Sequence, residues 1–348
     1  MQRCLELARL GAGRVSPNPM VGAVLVYEDR IIGEGYHQLY GKAHAEVNCI
    51  NSVTAEDAPL IPRSTIYVSL EPCAHHGKTP PCADLILAMK IPRVVIGCRD
   101  PFPQVNGKGI EKLLAAGVEV TLGVLEKECI ALNKRFFTFN TKHRPYIVLK
   151  WAQSVNGMIT GTPAPVPDAP MARPRTRISN GITNRLVHKW RSEEASILVG
   201  TNTAANDDPA LTARLWAGPD PIRLVIDKDL RLPHTLQLFD NKVKTIVFNN
   251  HKHTDEGLLQ YYQLSPDTST IHQLILALHH LKIQSVLVEG GARLLQSFID
   301  EDYWDEARII TNQELDLPNG LPAPQLQHAR LVSHESILTD TIRYYEHD

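Results

Sequence analysis

The sequence predicts an α/β protein made of two domains. Its 348 residues are too many for one typical domain. Short apolar strands alternate with helices in both halves, an order typical of mainly parallel sheets that helices cover on both faces. All six cysteines lie at or before position 129, which indicates that the two halves differ in kind.

The elements of the first half follow from hydrophobic spacing and from glycine and proline stops. Helices are predicted over 3–11, 43–50, 82–90 and 108–116. Strands are predicted over 21–27, 31–36, 65–70, 93–98 and 118–122, the first two as a hairpin. Residues 126–144, a helix with a basic stretch, are expected to connect the two halves.

The alternation restarts near Pro145 and predicts a second α/β domain. Its strands are predicted over 146–150, 196–200, 222–227, 245–249 and 285–288, with helices over 184–191 and 292–299 among those between them. Residues 162–174 form a proline-rich loop that excludes helix and central strand. The strand before Glu289-Gly290-Gly291 leads into a helix, as in turns that bind a phosphate or dinucleotide with free backbone amides.

Composition excludes several classes of function. A net charge of -2 and an apolar fraction of 43% favour neither disorder nor a nucleic-acid partner. No apolar run reaches the ~18 residues that a membrane span needs. The first residues lack a secretory hydrophobic segment, so we expect a cytoplasmic protein. Scattered cysteines in a chain of this length are not a disulfide framework.

Residues 44–82 contain the strongest chemical pattern. His44, Cys73 and Cys82 supply one imidazole and two thiols, a set that suits zinc and leaves a fourth position for water. Glu46 would then carry protons. His-x-Glu with Pro-Cys-x-x-Cys is the signature of zinc nucleobase deaminases, although here eight residues separate the cysteines.

The helix over 43–50 restricts where a metal ion could lie. Side chains two residues apart on a helix diverge by about 200°, so His44 and Glu46 converge only on a point beyond the helix N-terminus. Cys82 opens another helix, where the positive end of the dipole favours a thiolate. We therefore expect the ion at the ends of strands and the starts of helices.

Other interpretations of these residues remain open. The histidine and the two thiols could be core residues, or a structural zinc site with His75 or His76 as a fourth ligand. Asn18, between two prolines, is equally compatible with a turn and with an amide that contacts a base edge. Lys78 is a solvated loop charge by default, yet it lies where it could contact an anionic substrate.

Several stretches also resemble a known family, the bifunctional deaminase–reductase family of riboflavin biosynthesis. In the first half the matching stretches are 17–22, 35–37, 44–47 and 69–82. The eight-residue spacing with Gly77-Lys78-Thr79-Pro80-Pro81 is specific to that family among deaminases. In the second half the matching stretches are 196–200, 207–212, 223–227 and 288–291.

The resemblance implies a cytidine-deaminase-like three-layer α/β/α domain over 1–144 and a dihydrofolate-reductase-like α/β domain over 145–348. The first would deaminate diaminohydroxyphosphoribosylaminopyrimidine with one zinc ion. The second would use NADPH to reduce the ribosyl group of amino-phosphoribosylamino-uracil to ribityl. A homo-oligomer, dimer or tetramer, is expected. The alternatives are a monofunctional deaminase whose second domain only binds nucleotide or dimerises, and a zinc-stabilised nucleotide-binding module.

The resemblance also implies roles for individual residues. His44, Cys73 and Cys82 would hold zinc, and Glu46 would be the general base and acid. The deaminase pocket would be lined by Asn18, His37, Lys78 and Asp100. The reductase substrate would be surrounded by Lys150, Ser179, Arg191, Leu211, Arg214 and Glu289. The cofactor would lie along Ala152, Thr203, Asp207, Gly291 and Ala292.

The chain departs from the family's pattern mainly in the second half. Asn156 stands where the family usually has aspartate, and Arg177 where a tryptophan is common. The 162–174 loop and the segment 312–324 also differ, and Phe102 replaces a common asparagine in the first half. The departures in the second half bear on cofactor geometry.

Overall fold

A computed structural model describes residues 1–74, 81–103, 105–160 and 177–348. The chain divides into two compact units, Met1–His143 and Arg144–Asp348. Among the described residues, no helix combines the length and the apolar character that crossing a membrane requires.

The first unit is built on a five-stranded sheet. Its strands are β1 (Gly22–Tyr27), β2 (Arg30–Tyr36), β3 (Thr65–Leu70), β4 (Arg93–Cys98) and β5 (Glu119–Leu122). They lie in the order β2-β1-β3-β4-β5. Strand β1 is antiparallel to β2 and β3, whereas β3, β4 and β5 are parallel. The predicted hairpin and the predicted parallel strands are both present.

Helices cover both faces of this sheet. They are α1 (Gln2–Arg9), α2 (Ala45–Asn51), α3 (Cys82–Ala88), α4 (Lys108–Ala115), α5 (Glu126–Leu132) and α6 (Lys134–Lys142), with a 3-10 helix at Ala58–Arg63. One face packs apolar side chains such as Leu25 and Ile96 against Ile50 of α2 and Ile86 of α3. On the other face, Leu5 of α1 packs in a second apolar cluster. The result is the expected three-layer arrangement.

The second unit contains a ten-stranded sheet and a separate two-stranded one. The strands are β6 (Tyr146–Ser154), β7 (Met158–Thr160), β8 (Ser196–Gly200), β9 (Ile222–Ile226), β10 (Thr245–Asn249), β11 (Thr254–Glu256), β12 (Leu259–Gln263), β13 (Ser285–Gly290), β14 (Glu306–Asn312), β15 (Leu321–Pro322), β16 (Ala329–Ile337) and β17 (Asp340–His347). The large sheet has the order β11-β12-β10-β9-β8-β13-β6-β14-β17-β16, and β7 pairs with β15.

The helices of the second unit lie between its strands in the chain. They are α7 (Gly181–Glu193), α8 (Thr201–Asp207), α9 (Thr270–His280) and α10 (Ala292–Asp300), with a 3-10 helix at Gln237–Phe239. Strand β13 is parallel to both β6 and β8, so these three carboxyl ends share one edge of the sheet. Val288 is level with Leu149, which brings Glu289 beside Lys150. Ligands of open α/β sheets bind at this kind of edge.

Candidate active sites

His44 lies just beyond the N-terminus of α2. It is the residue before the helix, with an extended backbone (ψ 170°), whereas Glu46 is in the first turn and only 3% exposed. Because His44 lies outside the helix, its side chain is free of the angle of about 200° that a continuous helix would set between it and Glu46. Cys82 opens α3, and Cys73 follows β3. The three donors therefore come from one strand end and two helix starts, the placement expected from the sequence.

The donor atoms of these residues are spaced as zinc requires. Nδ1 of His44 is 3.4 Å from Sγ of Cys82 and 3.7 Å from Sγ of Cys73. Tetrahedral zinc, with bonds of about 2.3 Å to sulfur and about 2.0 Å to nitrogen, separates these atoms by about 3.6 Å. The backbone N–H of Cys82 also donates to Sγ of Cys73 over 3.3 Å, which favours the thiolate. The residues fit a zinc ion.

Electrostatics distinguish the two thiols and the carboxyl group. The hydrogen bond from the Cys82 thiol, followed by that of His44, lowers the pKa of Cys73 despite burial. Burial, and then the charge of Cys73, raises the pKa of Glu46. The Glu46 carboxyl is within hydrogen-bonding reach of the Cys82 thiol. Glu46 therefore borders the donor set without belonging to it.

His37 fixes the orientation of Asn18. The carbonyl of Ala43 can only accept, so Nδ1 of His37 donates to it over 3.0 Å. Nε2 then accepts from Nδ2 of Asn18 over 3.1 Å. His37 is 2% exposed, and burial lowers its pKa, which keeps the ring neutral. The contact with His37 therefore engages the amide nitrogen of Asn18 and assigns the other terminal atom of this side chain as the oxygen.

Glu71 is a functional residue that the sequence interpretation did not single out. Its carboxylate, 4% exposed, accepts from the backbone N–H groups of Asp100 (3.3 Å), Gly107 (3.0 Å), Gly109 (3.0 Å) and Ile110 (3.3 Å). It thus holds the loop that carries Asp100 against the segment that carries Cys73. Its position in Glu71-Pro72-Cys73 is the sequence signal that could have identified it.

Asp100 is a buried carboxyl group that can both donate and accept near neutral pH. Burial raises its pKa to about 7, and the charges of Glu71 and Cys73 add to this effect. The backbone N–H of Phe102 donates to its Oδ1 over 2.8 Å. Oδ1 is therefore engaged by the backbone of its own loop.

Replacing Glu71 by Gln is expected to loosen this loop. The amide nitrogen of glutamine is a donor, and it would face backbone N–H groups that are donors too. At least one hydrogen bond to the carboxylate would be lost, and such a bond contributes about 1.5–3 kcal/mol to stability. Amide hydrogen exchange at Gly107 and Gly109 should accelerate accordingly. Glu111→Gln, an exposed carboxylate on α4, is the matched control and should leave exchange unchanged. Equal exchange rates in the two variants would contradict the role of Glu71.

In the second unit, three charged side chains meet at the carboxyl edge of the sheet. Arg191 of α7 forms a two-pronged salt bridge with Glu289 of β13, with Nε–Oε1 and Nη2–Oε2 distances of 2.7 Å. Nζ of Lys150 on β6 is 3.8 Å from Oε2 of Glu289. Burial alone would raise the pKa of Glu289, but Arg191 and then Lys150 outweigh it and hold that pKa at about 2. Glu289 is therefore held ionised within this buried triad, whereas burial lowers the pKa of Lys150.

A chain of contacts extends this triad toward solvent. Nη1 of Arg191 donates to the carbonyl of Thr212 over 3.1 Å, and Nη1 of exposed Arg214 donates to Oγ1 of the same residue over 3.3 Å. His188, 1% exposed, was not foreseen from the sequence; burial, and then Arg191, lowers its pKa to about 4. Glu289 and Thr212 thus occupy the fork of Arg191, whereas Arg214 is exposed to solvent.

The glycines after Glu289 adjoin α8. A Cβ at Gly290 would lie 2.8 Å from Cγ2 of Thr203, and Gly291 has a φ of +86°. Any side chain would therefore clash or strain the turn, so glycine is required. Ala292 begins α10 directly afterwards. The structure thus brings together Thr203, Gly291 and Ala292 of the residues assigned to the cofactor.

The remaining candidates are less closely connected. Leu211 is 2% exposed and adjoins Thr212, whereas Asp207 is exposed at the end of α8. Ser179 and Ala152 are half-buried, and no described contact joins them to the triad. Lys78, the fourth-ligand candidates His75 and His76, and the 162–174 loop lie outside the described residues.

Two of the departures from the family's pattern contact each other. Oδ1 of Asn156 accepts from the backbone N–H of Leu317 over 3.3 Å, and Nδ2 donates to the Leu317 carbonyl over 3.2 Å. Aspartate at position 156 has no N–H to donate in the second contact. The two hydrogen bonds to Leu317 together therefore require asparagine, not aspartate, at position 156. Arg177 is exposed.

Comparison with known proteins gives matches over both units. Residues 1–98 match the cytidine and deoxycytidylate deaminase zinc-binding region, and residues 145–312 match the RibD C-terminal domain. The chain is similar to the riboflavin biosynthesis protein RibD of Aquifex aeolicus, with 38% identity over 89% of this chain and 84% of that one. The corresponding Escherichia coli protein is 34% identical over 90% and 87%.

Solved structures agree with these matches. A diaminohydroxyphosphoribosylaminopyrimidine deaminase/5-amino-6-(5-phosphoribosylamino)uracil reductase from Thermotoga maritima superposes with a TM-score of 0.88 at 34% identity, over 100% of this chain and 97% of that one. Acinetobacter baumannii RibD has the same TM-score, 0.88, at 28% identity, over 99% and 97%. The similarity spans both units.

Proposed function

The chain belongs to the RibD family of riboflavin biosynthesis enzymes, with a deaminase domain and a reductase domain, and we propose that these act in turn on one phosphoribosylated pyrimidine. The substrate of the first step would be diaminohydroxyphosphoribosylaminopyrimidine, and that of the second its deaminated product. The observation that carries the proposal is the zinc-competent spacing of His44, Cys73 and Cys82 beside buried Glu46. We assign residues 1–144 to deamination and 145–348 to reduction.

In the deaminase domain, each residue of the site has a distinct task. When bound, zinc would supply Lewis-acid polarisation of a water molecule. Glu46 would take a proton from the attacking water and return it to the departing ammonia, as general base and then general acid. The Asn18 oxygen, held by His37, would accept from an amine of the pyrimidine. Asp100 would bind another polar group, and Lys78 an anionic one.

In the reductase domain, the triad would form one wall of the site. When bound, NADPH would supply the hydride. The turn at Gly290 and Gly291, which packs against Thr203, would direct a phosphate-bearing cofactor to the backbone amides at the start of α10. Arg214 lines an open depression of about 620 Å³ with Arg185 and Trp216, which suits the substrate phosphate. Arg191 would keep Glu289 ionised and in place.

The other candidate functions are less favoured. A monofunctional deaminase would not explain why residues 145–312 match the RibD C-terminal domain. A non-enzymatic zinc module would not need a buried carboxyl group beside the three donors found among the described residues. Cytoplasmic location, preference for NADPH over NADH, and a homo-oligomeric state remain parts of the proposal.

Direct assay of the two steps tests this proposal. The full chain is given the diaminopyrimidine with and without NADPH, and separately the deaminated intermediate with NADPH or NADH. Ammonia release should not depend on the nucleotide, whereas NADPH oxidation should require the intermediate. Ammonia release without any oxidation would instead support a monofunctional deaminase. Failure of both reactions would contradict the proposal as a whole.

A further inference from the structure

A second group of metal-binding side chains lies in the reductase domain. It consists of Asp302, His328 and His347, here called the Asp302 cluster. Asp302 follows α10, His328 precedes β16, and His347 ends β17. Three separate segments therefore direct one carboxylate and two imidazoles to one point. Nothing in the proposed deamination or reduction uses them.

Both imidazole rings face the same carboxylate oxygen. Nε2 of His347 is 2.7 Å from Oδ1 of Asp302, and Nδ1 of His328 is 3.2 Å from that atom. The three possible ligand atoms all lie within 4.8 Å of one another. A tetrahedral ion with bonds of about 2.0 Å holds its ligand atoms about 3.3 Å apart. Small side-chain rotations thus suffice for coordination.

The surroundings of His347 orient it for this purpose. Its Nδ1 lies 3.0 Å from the carbonyl of Asp348 and its Nε2 lies 2.7 Å from Oδ1 of Asp302, so a metal ion would displace the proton on Nε2 while the Nδ1–H contact keeps the ring in place. The ring of Trp304, 1% exposed, meets the His347 ring edge to face at 4.8 Å. The backbone N–H of Asp348 donates to the His328 carbonyl over 2.9 Å, which joins the two histidine segments.

The cluster is separate from the reductase site. Glu306 begins β14 and pairs with Glu346 of β17, beside His347. Because β14 is parallel to β6, this is the amino edge of the central strands, whereas Glu289 lies at the carboxyl edge. The side chains of Asp302 and His328 are 56% and 67% exposed, so an ion can enter from solvent.

We propose that the Asp302 cluster binds a divalent transition metal ion, Zn²⁺ in the first instance. Two imidazoles and a carboxylate suit zinc, and water would complete the coordination. The ion would join the end of α10 to the β16–β17 hairpin. An ion that binds only the folded state stabilises it, so its role would be structural.

Metal stoichiometry of the full chain tests this proposal. Protein with zinc already in the His44 site is dialysed against increasing Zn²⁺ and the bound metal counted, with Ni²⁺ as a second probe. We expect one further equivalent and a higher unfolding temperature. His347→Phe keeps the ring contact with Trp304 but removes both nitrogens. His328→Asn removes the imidazole and tolerates the left-handed backbone there (φ 51°).

Each substitution should lower the affinity for the second equivalent of zinc by at least about 10-fold. Losing a residue that only hydrogen-bonds to a ligand already costs about that much, and these residues would be ligands themselves. Asp302→Asn, also at a left-handed position (φ 60°), should act in the same direction. His334→Ala, an exposed histidine on β16 outside the cluster, is the control and should bind as the parent does. Circular dichroism and NADPH oxidation on the deaminated intermediate verify folding of the reductase domain. A single equivalent in the parent, or a second one that survives all three substitutions, would overturn the proposal.

Discussion

Glu46→Gln is expected to abolish ammonia release while the zinc content stays at one ion in the deaminase site. The substitution preserves shape but removes the group that accepts and returns the proton. General acid–base groups contribute about 10²–10⁴-fold to rate, so deamination should fall by that factor. Zinc should remain because the carboxyl group borders His44, Cys73 and Cys82 without being one of the donors. NADPH oxidation on the deaminated intermediate should be unaffected.

Cys82→Ser is the matched contrast to this variant. It removes a thiolate that opens α3 and replaces it with a weaker donor. We expect both zinc and ammonia release to be lost, again with reduction retained. Metal analysis together with the two assays therefore separates binding from proton transfer. Full deamination by Glu46→Gln would rule out the assigned role of this residue.

Arg191→Met is expected to have the second large effect, on the stability of the reductase domain. The Arg191 and Glu289 side chains are only 13% and 7% exposed. If one partner is removed, water therefore cannot solvate the charge that remains. Removing one member of a buried ion pair typically costs about 3–5 kcal/mol. Amide exchange along β13 and loss of NADPH oxidation should both report this change, with ammonia release as the internal reference.

The control for this prediction is Arg330→Met. Arg330 pairs with Glu346 at the surface, where the two side chains are 62% and 44% exposed. Exposed pairs contribute about 0–1 kcal/mol, so this variant should change β13 exchange little. Similar destabilisation by both variants would show that burial of the Arg191–Glu289 pair is not the deciding factor.

The same pair predicts a pH dependence. The pKa of Glu289 falls from 4.5 to about 2 in the folded chain. A lowered carboxyl pKa stabilises the fold above the unfolded value and loses that contribution as pH falls through the folded one. The reductase domain should therefore lose stability from Glu289 between about pH 4.5 and pH 2. Arg191→Met should bring the folded-state pKa of Glu289 closer to its unfolded value, so the pH range over which this contribution is lost should become narrower. Amide exchange at several pH values measures that range.

The zinc site and the reductase site differ in how far the sequence could predict them. His44 and Glu46 are two residues apart in the chain, and the divergence of their side chains on a helix already required a metal ion beyond the helix N-terminus. By contrast, 98 residues separate Arg191 from Glu289. The resemblance assigned both to the substrate, yet only the structure shows that they bind each other. Glu289 thereby occupies the fork of Arg191, and our proposal assigns the substrate phosphate to Arg214.

Several structural elements were also beyond the reach of sequence patterns. The β16–β17 hairpin was not predicted, because most residues of β16 are exposed and give no alternation of apolar and polar side chains. Residues 126–144 form two helices, α5 and α6, that meet at Asn133. Its side chain accepts from the Met20 N–H over 2.8 Å and donates to the Met20 carbonyl over 2.9 Å. No local pattern could reveal a partner so far along the chain.

The sequence by itself determined the family and the two α/β domains, and it predicted the donor set that we propose for the deaminase site. Those features rest on local spacing, which strands, helix starts and short ligand loops preserve. Only the tertiary structure decided that Glu71 holds the Asp100 loop, that Arg191 and Lys150 keep Glu289 ionised, and that His328 and His347 both contact Asp302. These contacts depend on strand order and register, which bring together residues that have no fixed spacing in the chain.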